Sequence, residues 1–339
     1  MFSPSSIGNF VNYFIIYVVG FILGSFGGMY SECSGIINIA LEGSMVVGAF
    51  SGIMFLQIMA DAAANTWLTT TLGGVAILYI LGSLVAILIS ILFSFLLSFV
   101  SIKLKADQTI VGTALNIVAV AVCTIVNTFI TGKENNEVKT SSIFPQVSLS
   151  INTGNDFIDN AFSGLNYSII VGIIAIIILM VVMDKMRFGL RLRACGENPG
   201  AADSVGINVY RMRYIGTAIG SSAAGLGGFI IFSNLPLGMW NINALGFGFL
   251  VIAIEILGNW KTRTIMLGST FFAFFFAFAP TFTAQIGIHP IPALKNTIFA
   301  TRAFYYGLPY LLAFITLIIF SKKSRAPKAE GKPYDKSTR

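Results

Sequence analysis

Leu72-Gly-Gly-Val-Ala-Ile-Leu-Tyr-Ile-Leu-Gly82-Ser-Leu-Val-Ala-Ile-Leu-Ile-Ser90-Ile-Leu-Phe-Ser-Phe-Leu-Leu-Ser-Phe-Val100 runs for 29 residues without a charged side chain. At a helical rise of ~1.5 Å per residue it exceeds the ~30 Å hydrocarbon core of a bilayer. It reads as a transmembrane helix that is tilted or broken at Gly82. Eight further apolar runs cover residues 10–28, 35–59, 109–130, 167–183, 214–232, 245–258, 265–282 and 304–320. The 245–258 run has 14 residues, short of the ~20 that a crossing needs. The expectation is an all-α fold, a polytopic transmembrane helical bundle with 8–10 membrane segments.

Composition agrees. The chain of 339 residues is 55% hydrophobic and 10% charged, with a mean hydropathy of +0.83. Soluble domains carry about 25% charged residues, so a cytosolic enzyme, a nucleic-acid module and a disordered chain are excluded. Nothing basic precedes the first run and no small-residue cleavage site follows it, so it reads as a retained span. Cys33, Cys123 and Cys195 have neither pairing nor metal spacing and read as small apolar residues in packed helices.

The net charge of +7 reports orientation. Of the 21 Lys and Arg, 17 fall on one side of the alternating spans: Lys103 and Lys105, the 184–213 segment, Lys261 and Arg263, and the tail. Lys133, Lys139, Lys295 and Arg302 fall on the other. The positive-inside rule puts the first set in the cytoplasm and the 131–166 loop outside. Domain organisation follows as one transmembrane domain over 1–320, with halves of about 1–165 and 166–320, and a basic cytoplasmic tail over 321–339. The charge describes inner loops and tail, with no basic groove for nucleic acid. The outer loop, with Glu134, Glu137, Asp156 and Asp159, is either a solvated cap or a docking surface for an external partner.

Polar residues inside the runs are few, and each is costly in lipid. In Ser34-Gly-Ile-Ile-Asn38-Ile-Ala-Leu-Glu42-Gly43, a helix would put Ser34, Asn38 and Glu42 on one face. Asn38 reads as lining a solute path, and Glu42 either as a path or gating group or as a lock between helices. Ile252-Ala-Ile-Glu255-Ile-Leu-Gly258 echoes that stretch, each preceded by glycines (Gly24, Gly27, Gly28; Gly225, Gly227, Gly228). A weak internal repeat of this kind points to a transporter with a midplane site. Gly20, Gly24 and Gly28, Gly48 and Gly52, and Gly216 and Gly220 read as close-packing stripes. Thr109, Thr113, Asn116, Cys123 and Asn127 form a polar stripe. Its threonines are expected to bond between helices, while Asn116 and Asn127 either do the same or meet a polar solute. The candidate translocation path is therefore Asn38, Glu42, Asn116, Asn127 and Glu255.

The stretch Met186-Arg-Phe-Gly189-Leu-Arg191-Leu-Arg193-Ala-Cys-Gly196-Glu197-Asn198-Pro199-Gly-Ala-Ala-Asp203-Ser-Val-Gly206-Ile-Asn208 is a short basic amphipathic segment, a turn, and a second short helix opened by Pro199. By composition it is a positive-inside loop, or a rigid element suited to receive a push from a soluble partner. It resembles the cytoplasmic coupling loop of permease subunits in ABC importers for branched-chain amino acids, ribose-type sugars and nucleosides. Together with Ser34–Gly43 and Gln108-Thr-Ile-Val-Gly-Thr-Ala-Leu-Asn116, it is most similar to the nucleoside-type branch linked to basic membrane proteins. Cys195 and the basic tail depart from the pattern.

The resemblance implies a bacterial inner-membrane protein that pairs with a second permease subunit as a hetero-pair. It further implies an ABC ATPase subunit docked at Gly189, Arg191, Arg193, Gly196, Glu197, Asn198, Pro199 and Asp203, and an external solute-binding lipoprotein. The implied solute is a small molecule, a nucleoside first, with riboflavin or a simple sugar as alternatives. A phosphate loop of the Gly-x-x-x-x-Gly-Lys-Ser/Thr type is missing, so ATP hydrolysis would belong to another chain. His289, the lone histidine, reads as a surface residue of an outer loop. Phe271, Phe272, Phe274, Phe275, Phe276 and Phe278 read as core or lipid-facing. With no catalytic constellation, cofactor or metal cluster to assemble, a membrane-embedded enzyme is the weaker reading, and an ATP-independent carrier or channel would need no coupling loop.

Overall fold

The computed structural model describes residues 4–132, 136–140, 154–162, 165–234, 239–286, 302–320 and 325–335. His289 and most of the 131–153 stretch lie outside these described residues. The helices are α1 (Pro4–Glu32), α2 (Leu41–Ala62), α3 (Trp67–Thr70), α4 (Leu72–Ile102), α5 (Gln108–Thr131), α6 (Asp156–Phe162), α7 (Ser168–Lys185), α8 (Arg187–Glu197), α9 (Pro199–Ser204), α10 (Val209–Asn234), α11 (Phe247–Leu257), α12 (Thr262–Ile286) and α13 (Arg302–Phe320). Seven are long and apolar enough to cross a membrane, and α11 and part of α13 are shorter apolar helices. The chain is a polytopic helical bundle, and each of the nine apolar runs lies wholly or mostly on a helix.

Hydropathy locates the spans because lipid leaves the backbone no partner but itself. Local side chains set several ends. Thr71 accepts from Gly74 N at the start of α4, and Asp107 accepts from Thr109 N and Ile110 N at the start of α5, the usual N-cap arrangement. The Leu72 run is one unbroken helix through Gly82, whose missing side chain leaves room for Leu56 and Phe229.

The 35–59 run is not one helix. Residues 33–40 form a non-helical link and α2 starts at Leu41. Gly35 turns the chain at φ +97°, a conformation favouring glycine, with the Arg213 guanidinium packed against it. Ser34 and Asn38 therefore do not share a helical face with Glu42, which corrects the expectation from spacing.

At the centre, α10 packs against α1, α2 and α4. Of its apolar window 78% is buried, against 22% for α5, which lies at the periphery. The glycine stripes make the close contacts. A Cβ on Gly27 would sit 2.5 Å from the Gly220 carbonyl oxygen, and one on Gly48 would sit 2.4 Å from Gly225 Cα. Backbones approach this closely only where side chains are missing.

The bundle has two unlike ends. At one, β1 (Glu137–Lys139) and β2 (Met239–Asn241) pair antiparallel with Val138 opposite Trp240, and α6 packs on the first turns of α1, where Asn12 Nδ2 donates to the Ala161 carbonyl at 3.2 Å. These described parts of the long loop fold back on the bundle. The other end carries α8, α9, the 33–40 link and the tail segment 325–335.

Two further expectations change. Thr109 and Thr113 lie on the exposed face of α5, and the Thr113 hydroxyl donates to Thr109 O and Ile110 O of its own helix. They make no bond between helices, because Gly112, Leu115, Ala119 and Cys123 occupy the inward face. The echo between the Glu42 and Glu255 stretches is not matched by equivalent placement: Glu42 is in the first turn of α2, Glu255 near the end of α11.

Candidate functional site

The α8–α9 hairpin is built by the residues that made its motif distinctive. Met186, in an extended conformation, ends α7. Gly189 then lies on Met183, where a Cβ would fall 2.2 Å from the carbonyl oxygen, and Arg193 Nη2 donates to that same carbonyl at 2.9 Å. Leu192 and Cys195 point into the bundle. Gly196 rests on the 33–40 link, since a Cβ there would sit 2.4 Å from Cys33 O. Asn198 Oδ1 accepts from Ala201 N at 3.0 Å, capping α9, with Pro199 at its first position.

Gly189, Arg193, Gly196, Asn198 and Pro199 thus shape the hairpin. Arg191 and Glu197 are presented outward beside Leu190, which is 62% exposed, and Asp203 is half-buried on α9. The hairpin packs against α7 and α10 and leaves Arg191 and Glu197 on its outer face. Burial pushes the Cys195 thiol up to about 11 despite Arg213 nearby, and pushes Cys33 up to about 12 with help from the charge of Glu32.

The interior candidates act mostly as braces. Asn116 Oδ1 accepts from Gly43 N at 2.7 Å, and its Nδ2 donates to Ile39 O at 3.0 Å. Gln108, which the sequence reading did not single out, accepts from Ile37 N at 2.7 Å. These amides on α5 satisfy the backbone groups that a continuous helix would have paired, and so hold the link open. Asn38, fully buried in that link, donates to Ser31 Oγ at 3.0 Å, and its Oδ1 has no hydrogen-bond partner.

Glu42 accepts from Gly246 N at 2.8 Å and Gly248 N at 2.7 Å, so it caps the short helix α11 from another element. Asn127 sits at the opposite end of α5, where Nδ2 reaches the Glu137 carbonyl at 3.5 Å. Glu255 is fully buried against Gly28, and its carboxyl meets that of Glu32 in a side-chain hydrogen bond. Glu32 on α1 accepts from Trp260 Nε1 at 2.6 Å.

Two cavities are formed among the described residues. A cavity of about 610 Å³ at the hairpin end is lined by Cys33, Arg193, Glu197, Trp260, Lys261 and Arg325. An apolar groove of about 600 Å³ runs between α2, α4 and α5, past Phe50, Met54, Leu92, Val122 and Cys123. Neither is lined by Asn38, Glu42, Asn116, Asn127 or Glu255. Among the described residues, no three His, Cys, Asp or Glu side chains gather so as to hold a metal ion.

Known proteins match this chain over nearly its whole length. It is 32% identical to the guanosine ABC transporter permease protein NupQ of Bacillus subtilis, over 96% of both chains. It is 32% identical to the nucleoside ABC transporter permease protein NupC of Lactococcus lactis, over 95% of both. A second Lactococcus protein, the nucleoside ABC transporter permease protein NupB, is 25% identical over 60% of this chain and 54% of its own. No solved structure matches it. Residues 7–320 match the family described as branched-chain amino acid transport system / permease component, and with a polytopic helical bundle that carries this hairpin at one end, the chain belongs to that permease family.

Proposed function

We propose that this chain is one permease subunit of an ATP-driven ABC importer that passes a nucleoside from an external binding lipoprotein into the cytoplasm. The observation that carries the reading is the near-complete alignment with two permeases named for guanosine and for nucleosides. The α8–α9 hairpin end carries most of the Lys and Arg and faces the cytoplasm of a bacterial cell, with the tail on the same side. A separate ATPase subunit docks there, with Arg191 and Glu197 as its outward contacts, and hydrolysis belongs to that subunit. A second permease completes the core as a hetero-pair; the likeness of this chain to both NupC and NupB of one organism supports that arrangement.

ATP binding and hydrolysis bias the pair between outward- and inward-open states because the hairpin meets the two ATPase states differently. Asn38 has a buried oxygen without a hydrogen-bond partner, as expected of a group that meets solute when the path opens. The test is reconstitution with the partner subunits. Tritiated guanosine should enter only with ATPase and ATP present, and unlabelled guanosine should compete while glucose and riboflavin do not. Uptake without ATP, or chemical conversion of the solute, refutes the reading. Glu197→Lys should abolish uptake and leave membrane insertion intact.

A further inference from the structure

The tail segment 325–335 has no regular secondary structure, yet it is tied to the bundle along its length. Arg325 N donates to Asn259 Oδ1 at 2.9 Å, Ala329 N to Gly196 O at 2.8 Å and Gly331 N to Gly35 O at 3.2 Å. Arg213 Nη1 donates to Lys332 O at 3.0 Å, Tyr210 Oη to Tyr334 O at 3.2 Å, and Lys105 pairs with Asp335 at 2.5 Å. Ala329 and Tyr334 are buried. A basic tail with nothing to hold would be solvated; this one is a strap.

Two of the ties matter together. Ala329 holds the last turn of α8 and Gly331, two residues on, holds the 33–40 link. Gly331 turns at φ +72°, and a Cβ there would come within 2.7 Å of Ile37 Cδ1. Between them Glu330 sends its carboxyl into the bundle, where Oε2 is buried without a hydrogen-bond partner. Gly196 also rests directly on Cys33. The end of the hairpin, the strap and the link that carries Asn38 thus form one junction.

We infer that the 325–335 strap is a positioning element that carries displacement of the α8–α9 hairpin to the 33–40 link and its buried Asn38, tying solute passage to ATP turnover. This rests on the hairpin being the ATPase-docking element.

The junction also has a proton dependence. The groups that interact with Glu330 are Glu32 on α1, Cys33 in the link and Glu255 on α11; Arg193 and Glu197 on α8 act on the same Cys33, and Arg213 on α10 bonds the Lys332 carbonyl two residues on. Burial first, and then the charge of Glu32, push the Glu330 carboxyl up from 4.5 to about 8. Docked, it keeps its proton to higher pH than it does when released into water. Docking is therefore strongest in acid, weakens as pH rises through that window, and levels off above it.

The experiment is guanosine taken up per ATP hydrolysed, measured on the full importer in proteoliposomes between pH 6 and 9. Ala329→Pro removes the N–H that holds Gly196. It should leave the ATPase bound and hydrolysing while the ratio falls about tenfold, the equilibrium worth of one net hydrogen bond at the upper end of its usual range. Gly331→Val displaces the strap by a separate route and should do the same. Glu330→Gln, neutral at every pH, should keep the acid-side ratio and abolish the alkaline decline of the wild type.

An unchanged ratio in Ala329→Pro and Gly331→Val overturns the inference. So does loss of ATPase binding in those variants, which would make the strap a docking surface only. An alkaline decline that survives in Glu330→Gln overturns it as well. Absence of ATP-dependent uptake in the wild type is the distinct result that removes the importer reading itself.

Discussion

Replacing Glu42 by alanine separates a brace from a solute-binding group. The carboxylate accepts from the amides of Gly246 and Gly248, at the start of α11, where the first helical N–H groups have no partner of their own. Gly248 is buried while Glu42 and Gly246 are half-buried, so water can replace the cap only in part. A buried donor left unsatisfied costs about 1–3 kcal/mol and a half-buried one less, so the variant should lose about 2–4 kcal/mol. At about 2 °C per kcal/mol for a large domain, the thermal midpoint falls by roughly 4–8 °C. Glu42→Gln keeps one acceptor oxygen and should lose about half as much. The assay is the midpoint of the detergent-solubilised protein, followed by size-exclusion fluorescence, beside guanosine uptake. A midpoint for Glu42→Ala within about 2 °C of wild type, with a raised KM for guanosine, would refute the capping argument and return Glu42 to the solute path.

Other expectations follow from single contacts. Gly48→Val drives a side chain into Gly225 Cα and should destabilise the bundle by about 1–3 kcal/mol or more, while Gly73→Val, with nothing within 4 Å, should leave the same detergent midpoint unchanged. Asn116→Ala frees Gly43 N and Ile39 O and should cost about 2 kcal/mol, read as faster amide exchange confined to residues 37–43. Cys195, with its thiol raised to about 11, should react with N-ethylmaleimide a few hundredfold more slowly at pH 7.5 than a free cysteine of ordinary pKa. Its rate should climb about tenfold per pH unit, followed by mass spectrometry; rapid labelling at neutral pH would show that α8 does not bury it.

The spans were legible because their cause is local: a long apolar run, wherever it sits, pairs its backbone with itself in lipid. The hairpin was legible for a similar reason, since Asn198 and Pro199 start α9 with partners three residues away. Of the eight residues that marked the hairpin, the glycines, Arg193, Asn198 and Pro199 turned out to shape it, and Arg191 and Glu197 to face outward. The interior polar residues were harder. Their residue types announced that something unusual happened at Asn38, Glu42 and Asn116, but a helical period assigned them faces that residues 33–40 do not have.

What the amino-acid sequence determined by itself was the class of the molecule: a helical membrane bundle, its approximate spans, its close-packing glycines and a rigid hairpin at its charged end. These rest on solvation and on contacts a few residues apart. Tertiary structure decided where helices stop being helices. The 33–40 link stays open because Gln108 and Asn116 reach it from α5, α11 starts where Glu42 meets it across 204 residues, and the tail becomes a strap because Gly35 and Gly196 offer it carbonyls. A partner that distant leaves no period or spacing to read, so only the folded chain brings donor and acceptor together.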